Sequence, residues 1–217
     1  MADFTLYIGN KNYSSWSMRG WLMLKATGAP FEEVLIRLSQ PNTRTEILRQ
    51  SPSGRVPALR HGEITVWDTL AIGEYLAELF PQARLWPEDT AARATARAVS
   101  AEMHSGFAAL RNYFPMNVRS SFPTRAITPD VQPDIDRITA IWHDCRTRFG
   151  KEGPFLFGHF TIADAMYAPV VSRFRTYKIE VDAEVEAYCD AIWASSEVQE
   201  WAAAARNEPW VIEDSEF

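Results

Sequence analysis

The change of texture at Pro81 constrains this chain more than any single motif. Before it, strands and helices alternate; after it, the rest of the 217 residues offers helices and no convincing strand. Residues 4–8, FTLYI, are short, β-rich and bounded by Gly9 and Asn10. Met18, Trp21, Leu22 and Lys25 follow helical spacing, with the Lys25 stem at the edge of the apolar stripe, and Gly28 stops that helix. Residues 31–38 read as a second strand and 43–50 as a short polar helix, broken by the turn signal SPSG. VPALR and ITVWD read as a hairpin around His61-Gly62. Residues 69–80 close the unit with a stripe of Leu70, Ile72, Tyr75, Leu76 and Leu79. The order is βαβαββα. Beyond it, residues 91–114 read as one long alanine-rich helix, 134–149 as another and 160–174 as a third, with shorter helices to Trp201. The expected organisation is an α/β domain over 1–81, a proline-punctuated linker over 82–90 and an all-α domain over 91–217.

Composition narrows the partners. Charged residues at 23% and hydrophobic ones at 47% are those of a globular chain. Lysines and arginines number 22 against 28 acids, a formal charge of −6, which argues against nucleic-acid binding and a basic membrane-surface role. The two cysteines, Cys145 and Cys189, form no CxxC, which fits a reducing compartment. The stretch MADFTLYIGNKN lacks the basic and apolar regions of a signal peptide, and no apolar run approaches the ~20 residues of a membrane helix. A cytoplasmic protein is expected.

Three motifs carry chemistry. In NYSSWSMRGWL, any one of Ser14, Ser15 and Ser17 serves as a helix cap. A further hydroxyl at that helix N-terminus, where the dipole favours an anion, suits a thiolate or oxyanion. A serine nucleophile would need a base and an orienting acid; there is no GxSxG elbow, and His61, His104, His143 and His159 show no telling spacing. The cysteines and histidines make no metal-ligand set, so no metal is expected, and neither a Walker loop nor GxGxxG occurs. In SPSGRVPAL, Pro57 fits a strand start, or a cis Val56-Pro57 bond that turns the Val56 backbone toward an extended peptide-like ligand; the residues leave both open. In VWDTLAIGEYL, Asp68 or Thr69 caps the next helix and the other is free for a ligand. A carboxylate there suits an ammonium group, and a hydroxyl with first-turn N–H groups suits a carboxylate.

Ser14 with Arg19, then Val56-Pro57, then Asp68-Thr69 before LAIGEYL, then FTIAD with Thr161 and Asp164, together resemble the cytosolic glutathione transferases over nearly the whole chain. SSWSMRGWL is most similar to the serine-type zeta and tau classes, with Trp16 where the zeta pattern has cysteine and Asp68-Thr69 where a Glu-Ser or Gln-Ser pair is usual. The resemblance implies a thioredoxin-like α/β domain, an all-helical second domain, glutathione as co-substrate and a homodimer. It implies that the Val56 backbone pairs with the cysteinyl residue, that Asp68 and Thr69 hold the γ-glutamyl end, and that Asn42, Thr43 or Arg44 meets the glycyl carboxylate. A small electrophile would face the long helix, near Met103, His104, Phe107, Arg111 and Tyr113. Arg173 or Arg175 would meet an acidic acceptor.

Ser14, with Ser15 in reserve, would donate a hydrogen bond to the sulfur and lower the thiol pKa from ~8.5. A drop of ~2 units requires ~2.7 kcal/mol, and one hydrogen bond to a charged group gives ~1.5–3 kcal/mol. The first domain has no cysteine for a mixed disulfide. Conjugation, isomerisation of maleylacetoacetate type and peroxidase activity follow as the catalytic options, beside a glutathione-transferase-like binding protein that catalyses nothing.

Overall fold

A computed structural model describes residues 3–217. The first unit runs β1 (Phe4–Ile8), α1 (Ser15–Ala26), β2 (Phe31–Leu35), α2 (Thr43–Leu48), β3 (Ala58–His61), β4 (Ile64–Trp67) and α3 (Thr69–Leu79). The sheet order is β2-β1-β3-β4, with β2 parallel and β3 antiparallel to β1, and β4 antiparallel to β3. The central strand β1 is buried throughout. Its side chains alternate as a strand requires: Phe4, Leu6 and Ile8 enter the large core, while Tyr7 joins Ile36, Ile47 and Ala58 in a small cluster on the α2 side. The thioredoxin-like order expected from the sequence is the order found.

The helical unit comprises α4 (Thr90–Ser105), α5 (Ala108–Tyr113), α6 (Gln132–Phe149), α7 (Ile162–Tyr177), α8 (Ala183–Ala194) and α9 (Ser196–Arg206). Helix α7 is the axis of the molecule, packing against α1 of the first unit and against α4 and α8 of the second. One continuous core therefore joins both units, from Leu22 and Leu76 to Trp142 and Trp201. The FTIAD motif builds the N-terminus of α7 as a capping box between Thr161 and Asp164. The buried Asp164 carboxylate accepts from the N–H groups of Thr161 at 2.9 Å and Leu156 at 3.1 Å. Burial pushes its carboxyl pKa up against those bonds.

Three expectations are corrected. The second strand stops at Leu35, not at residue 38. The hairpin turns at Gly62-Glu63, where Gly62 takes φ 56°, so His61 stays within β3. The alanine-rich helix is two: Gly106 caps α4 and Phe107 adopts the left-handed φ of 57° before α5 begins. Among the described residues, no helix is long and apolar enough to cross a membrane.

Candidate active site

The serine stretch forms the first turn of α1. Ser14 is its N-cap, with a hydroxyl that accepts from the Ser17 N–H at 3.4 Å and donates to Ser17 Oγ at 2.7 Å. Ser17 Oγ also accepts from the Gly9 N–H at 2.9 Å, tying the helix back to the end of β1. Those two hydroxyls are committed to local structure. The Ser15 hydroxyl makes no hydrogen bond among the described residues. Between them Trp16 projects beside Arg19, whose guanidinium carbon is 4.4 Å from its ring, and its edge faces the His104 ring at 5.2 Å.

Asp68 caps α3 at φ 74°, a region that non-glycine residues rarely occupy and that recurs where a ligand is held. Its Oδ1 accepts from the Leu70 N–H at 2.9 Å, and its Oδ2 meets His104 Nε2 at 2.6 Å across the two units. Thr69 is buried, and its hydroxyl has no partner. A buried hydroxyl without a partner is uncommon and calls for a ligand or water. The Val56-Pro57 bond is cis, and Pro57 stands directly before β3. Among the described residues, neither backbone polar group of Val56 has a backbone partner. Helix α1 lies close behind this turn: a Cβ on Gly20 would sit 2.9 Å from Pro57 Cγ, so glycine is needed there.

The N-terminal turns of α1 and α3 and the turn at Val56-Pro57 border one cavity of about 640 Å³, within the usual range of small-molecule sites. Trp16, Val56, Pro57, Asp68, Thr69, His104 and Arg111 line it, whereas Ser14 and Ser15, just before Trp16 in the same turn, are not among its lining residues. Ser53, Arg55 and Trp67 line it too and were not anticipated. The SPSGR stretch beside the VP pair was the available signal: a cation and a hydroxyl on a turn.

Other candidates lie elsewhere. Asn42 and Arg44 are exposed on α2 and do not line the cavity, and Asn42 Nδ2 donates to Glu46. Met103 and Phe107 belong to the core. Tyr113 stacks under the guanidinium of Arg125. Arg175 pairs with Asp190 at 3.2 Å and lines a second cavity of about 510 Å³.

Behind Trp16 the structure gathers positive charge. Arg19 is fully buried; its Nε donates to the Met166 carbonyl at 2.8 Å, while both terminal nitrogens have no partner. Arg173 is buried as well, donating to the carbonyls of Phe114 at 2.7 Å and Pro169 at 3.1 Å. Arg111 reaches the cavity wall with a buried, unpartnered Nε. Among the described residues, none of the three has an acidic partner. Burial, and then the charges of Arg173 and Arg111, hold Arg19 well below the usual arginine range. Burial pushes Arg173 down to about 10. No group of three or more His, Cys, Asp or Glu is placed to hold a metal ion among the described residues.

Residues 13–79 match the family model "Glutathione S-transferase, N-terminal domain", and residues 94–204 match "Glutathione S-transferase, C-terminal domain". The chain belongs to the glutathione S-transferase family. It is 37% identical over 181 residues to a maleylacetoacetate isomerase of Rattus norvegicus, a match spanning 81% of this chain and 80% of that one. It is 35% identical over 113 residues to glutathione S-transferase 1 of Dianthus caryophyllus, covering 52% of this chain but only 50% of that protein's length. The fold superposes with a TM-score of 0.72 on a glutathione transferase homolog from a Burkholderia strain, solved with bound glutathione, at 26% identity over 96% of this chain and 100% of that one.

Proposed function

We propose that the protein is a glutathione transferase that binds glutathione across the 640 Å³ cavity and activates its thiol at the N-terminus of α1. The observation that carries this is a set of unpartnered groups: the Val56 backbone and the buried Thr69 hydroxyl on that cavity, and the free Ser15 hydroxyl beside Trp16, which lines it. Val56 pairs with the cysteinyl backbone. Asp68 takes the ammonium of the γ-glutamyl end, and the Thr69 hydroxyl its carboxylate. Arg55 replaces Asn42 and Arg44 as the partner of the glycyl carboxylate, because it lines the cavity and they do not. Ser15 is the better sulfur donor, since the Ser14 hydroxyl hydrogen is spent on Ser17. Ser14 then holds the turn in shape. Calorimetric titration with glutathione tests the binding: a dissociation constant tighter than millimolar supports it, and no heat overturns it.

The acceptor is an organic acid. Arg111 lines the cavity without an acidic partner, and the buried, unpaired Arg19 packs on Trp16 in its wall, which favours a carboxylate over a neutral electrophile. The relative in rat bears the name maleylacetoacetate isomerase. The corresponding reaction here adds the glutathione thiolate to one carbon of a cis double bond, placing the electron pair on the enolate of the adjoining carbonyl. Rotation follows about the new single bond, and the pair returns to expel the thiolate and leave the trans isomer. Glutathione is regenerated and no conjugate accumulates. Isomerisation of maleyl diacids that fails on Arg111→Ala supports this reading; turnover of neutral aromatic halides alone overturns it in favour of general conjugation.

The unit boundaries 1–81, 82–90 and 91–217, a homodimer and a cytoplasmic location complete the proposal. They rest on the family and on the sequence reading.

A further inference from the structure

The loop between β1 and α1, residues 9–14, leads into the turn that carries Ser15 and the cavity-lining Trp16, and the far end of the chain holds it. Glu208, just past α9, places both carboxylate oxygens on its backbone: Oε1 accepts from the Lys11 N–H at 2.6 Å and Oε2 from the Asn12 N–H at 3.1 Å. Trp201 Nε1 donates to the Lys11 carbonyl at 2.9 Å, and the Val118 N–H to the Asn12 carbonyl at 3.2 Å. The next residue, Tyr13, donates its hydroxyl to Glu216 Oε1 at 2.6 Å and accepts from Arg119 Nη2 at 2.8 Å. Arg119 Nη1 closes the network on the Glu208 carbonyl at 2.9 Å.

This arrangement is more than chain-end tidying. Glu208 is only 8% exposed, and burial pushes its carboxyl pKa up against the two backbone bonds that pull it down. A carboxylate is costly to bury, and an apolar side chain would cover the core at less expense. What the carboxylate adds is a fixed, two-point hold on consecutive N–H groups. Loops wander unless tied, and thiol activation needs the donor in place to a fraction of an ångström.

We infer that Glu208 is a positioning residue for the thiol-activating end of α1, acting through the Lys11-Asn12 backbone with the Tyr13–Glu216 pair as its second anchor. The inference rests on the glutathione reading above.

The test uses the full chain. The bound glutathione thiol is titrated by the ultraviolet absorbance of its thiolate, and kcat and KM for glutathione are measured alongside, in wild type, Glu208→Ala, Glu208→Gln and Tyr13→Phe. Glu208→Ala is expected to raise the bound thiol pKa toward its free value and to lower kcat roughly tenfold to a hundredfold, the cost of a misplacement of about 1 Å. The glutathione KM is expected to stay within about threefold, since the lost interaction acts on the reacting sulfur and not on uniform binding. Glu208→Gln, which keeps the shape and one acceptor, should recover part of the effect. Tyr13→Phe should shift the thiol in the same direction and carries the test if Glu208→Ala does not fold. An unchanged thiol pKa and unchanged kcat in Glu208→Gln and Tyr13→Phe, even with a lowered melting temperature, would make this network a structural staple only and overturn the inference. A wild-type thiol that titrates at its free value would overturn the glutathione reading itself.

Discussion

Asp68 and His104 face each other across the two units, Oδ2 to Nε2, at 2.6 Å on the rim of the cavity. The carboxylate proposed for the glutathione ammonium is thus already engaged, and an ammonium bound there would share it with the imidazole or displace it. Both side chains are partly exposed, so the exchange takes place in a screened setting. Asp68→Asn is expected to weaken glutathione by about tenfold, the low end for a charge-assisted bond of ~1.5 kcal/mol. His104→Ala removes a competitor and should bind at least as tightly as wild type. A dissociation constant unmoved by Asp68→Asn would make Asp68 a helix cap and nothing more.

Arg19 offers a sharper test of the arginine group. A buried charge without a counter-ion costs several kcal/mol. Its bond to the Met166 carbonyl returns ~1.5–3 kcal/mol and its contact with the Trp16 ring ~2 kcal/mol. These terms nearly cancel, so Arg19→Met should change the melting temperature by no more than about 4 °C, the equivalent of ~1 kcal/mol at this size. Turnover of a maleyl diacid should nevertheless fall. A large loss of stability with unaltered turnover would make Arg19 a packing residue.

Much of this site was legible because its parts lie at helix ends and turns, where residue types have fixed uses. Asp68-Thr69 could be read as one cap and one spare group, and the structure divides them so: Asp68 caps, Thr69 is left unpaired. The Arg173/Arg175 ambiguity has a geometric resolution, since side chains two apart on a helix do not share a face. Arg173 turns into the protein and Arg175 toward Asp190. The SPSGR turn signalled a cation beside the VP pair, but loops carry no periodicity, so that Arg55 faces the cavity could not be read from it. The break at Gly106 was hidden by alanines that continue the helical pattern on both sides.

The tie between α6 and α8 gives a prediction in pH. His143 meets Asp182 at 2.8 Å and Glu184 at 3.0 Å, and Asp182 also caps α8. The Asp182 hydrogen bond raises the His143 pKa, so that stabilisation is full below the ordinary histidine value and fades as pH rises through the raised one. The His143 bond lowers Asp182, whose contribution is full above the ordinary carboxylate value and fades as pH falls. The tie is whole between about pH 4 and pH 6.5. The melting temperature of His143→Gln should therefore lag wild type most near pH ~5.5 and converge with it as pH rises through the raised histidine pKa. A constant gap from acid to alkali would show that charge plays no part.

The most direct measurement is the ultraviolet titration of glutathione bound to wild type, Ser15→Ala and Ser14→Ala. In wild type the thiol is expected to ionise ~2 units below its free value of ~8.5. Ser15→Ala should return most of that shift, because its hydroxyl is the one left free at the α1 N-terminus. Ser14→Ala should return less and lower the melting temperature by the loss of a cap worth ~1 kcal/mol. A wild-type thiol ionising at its free value, or a shift that survives in both serine variants, would contradict activation by a serine hydroxyl at this helix.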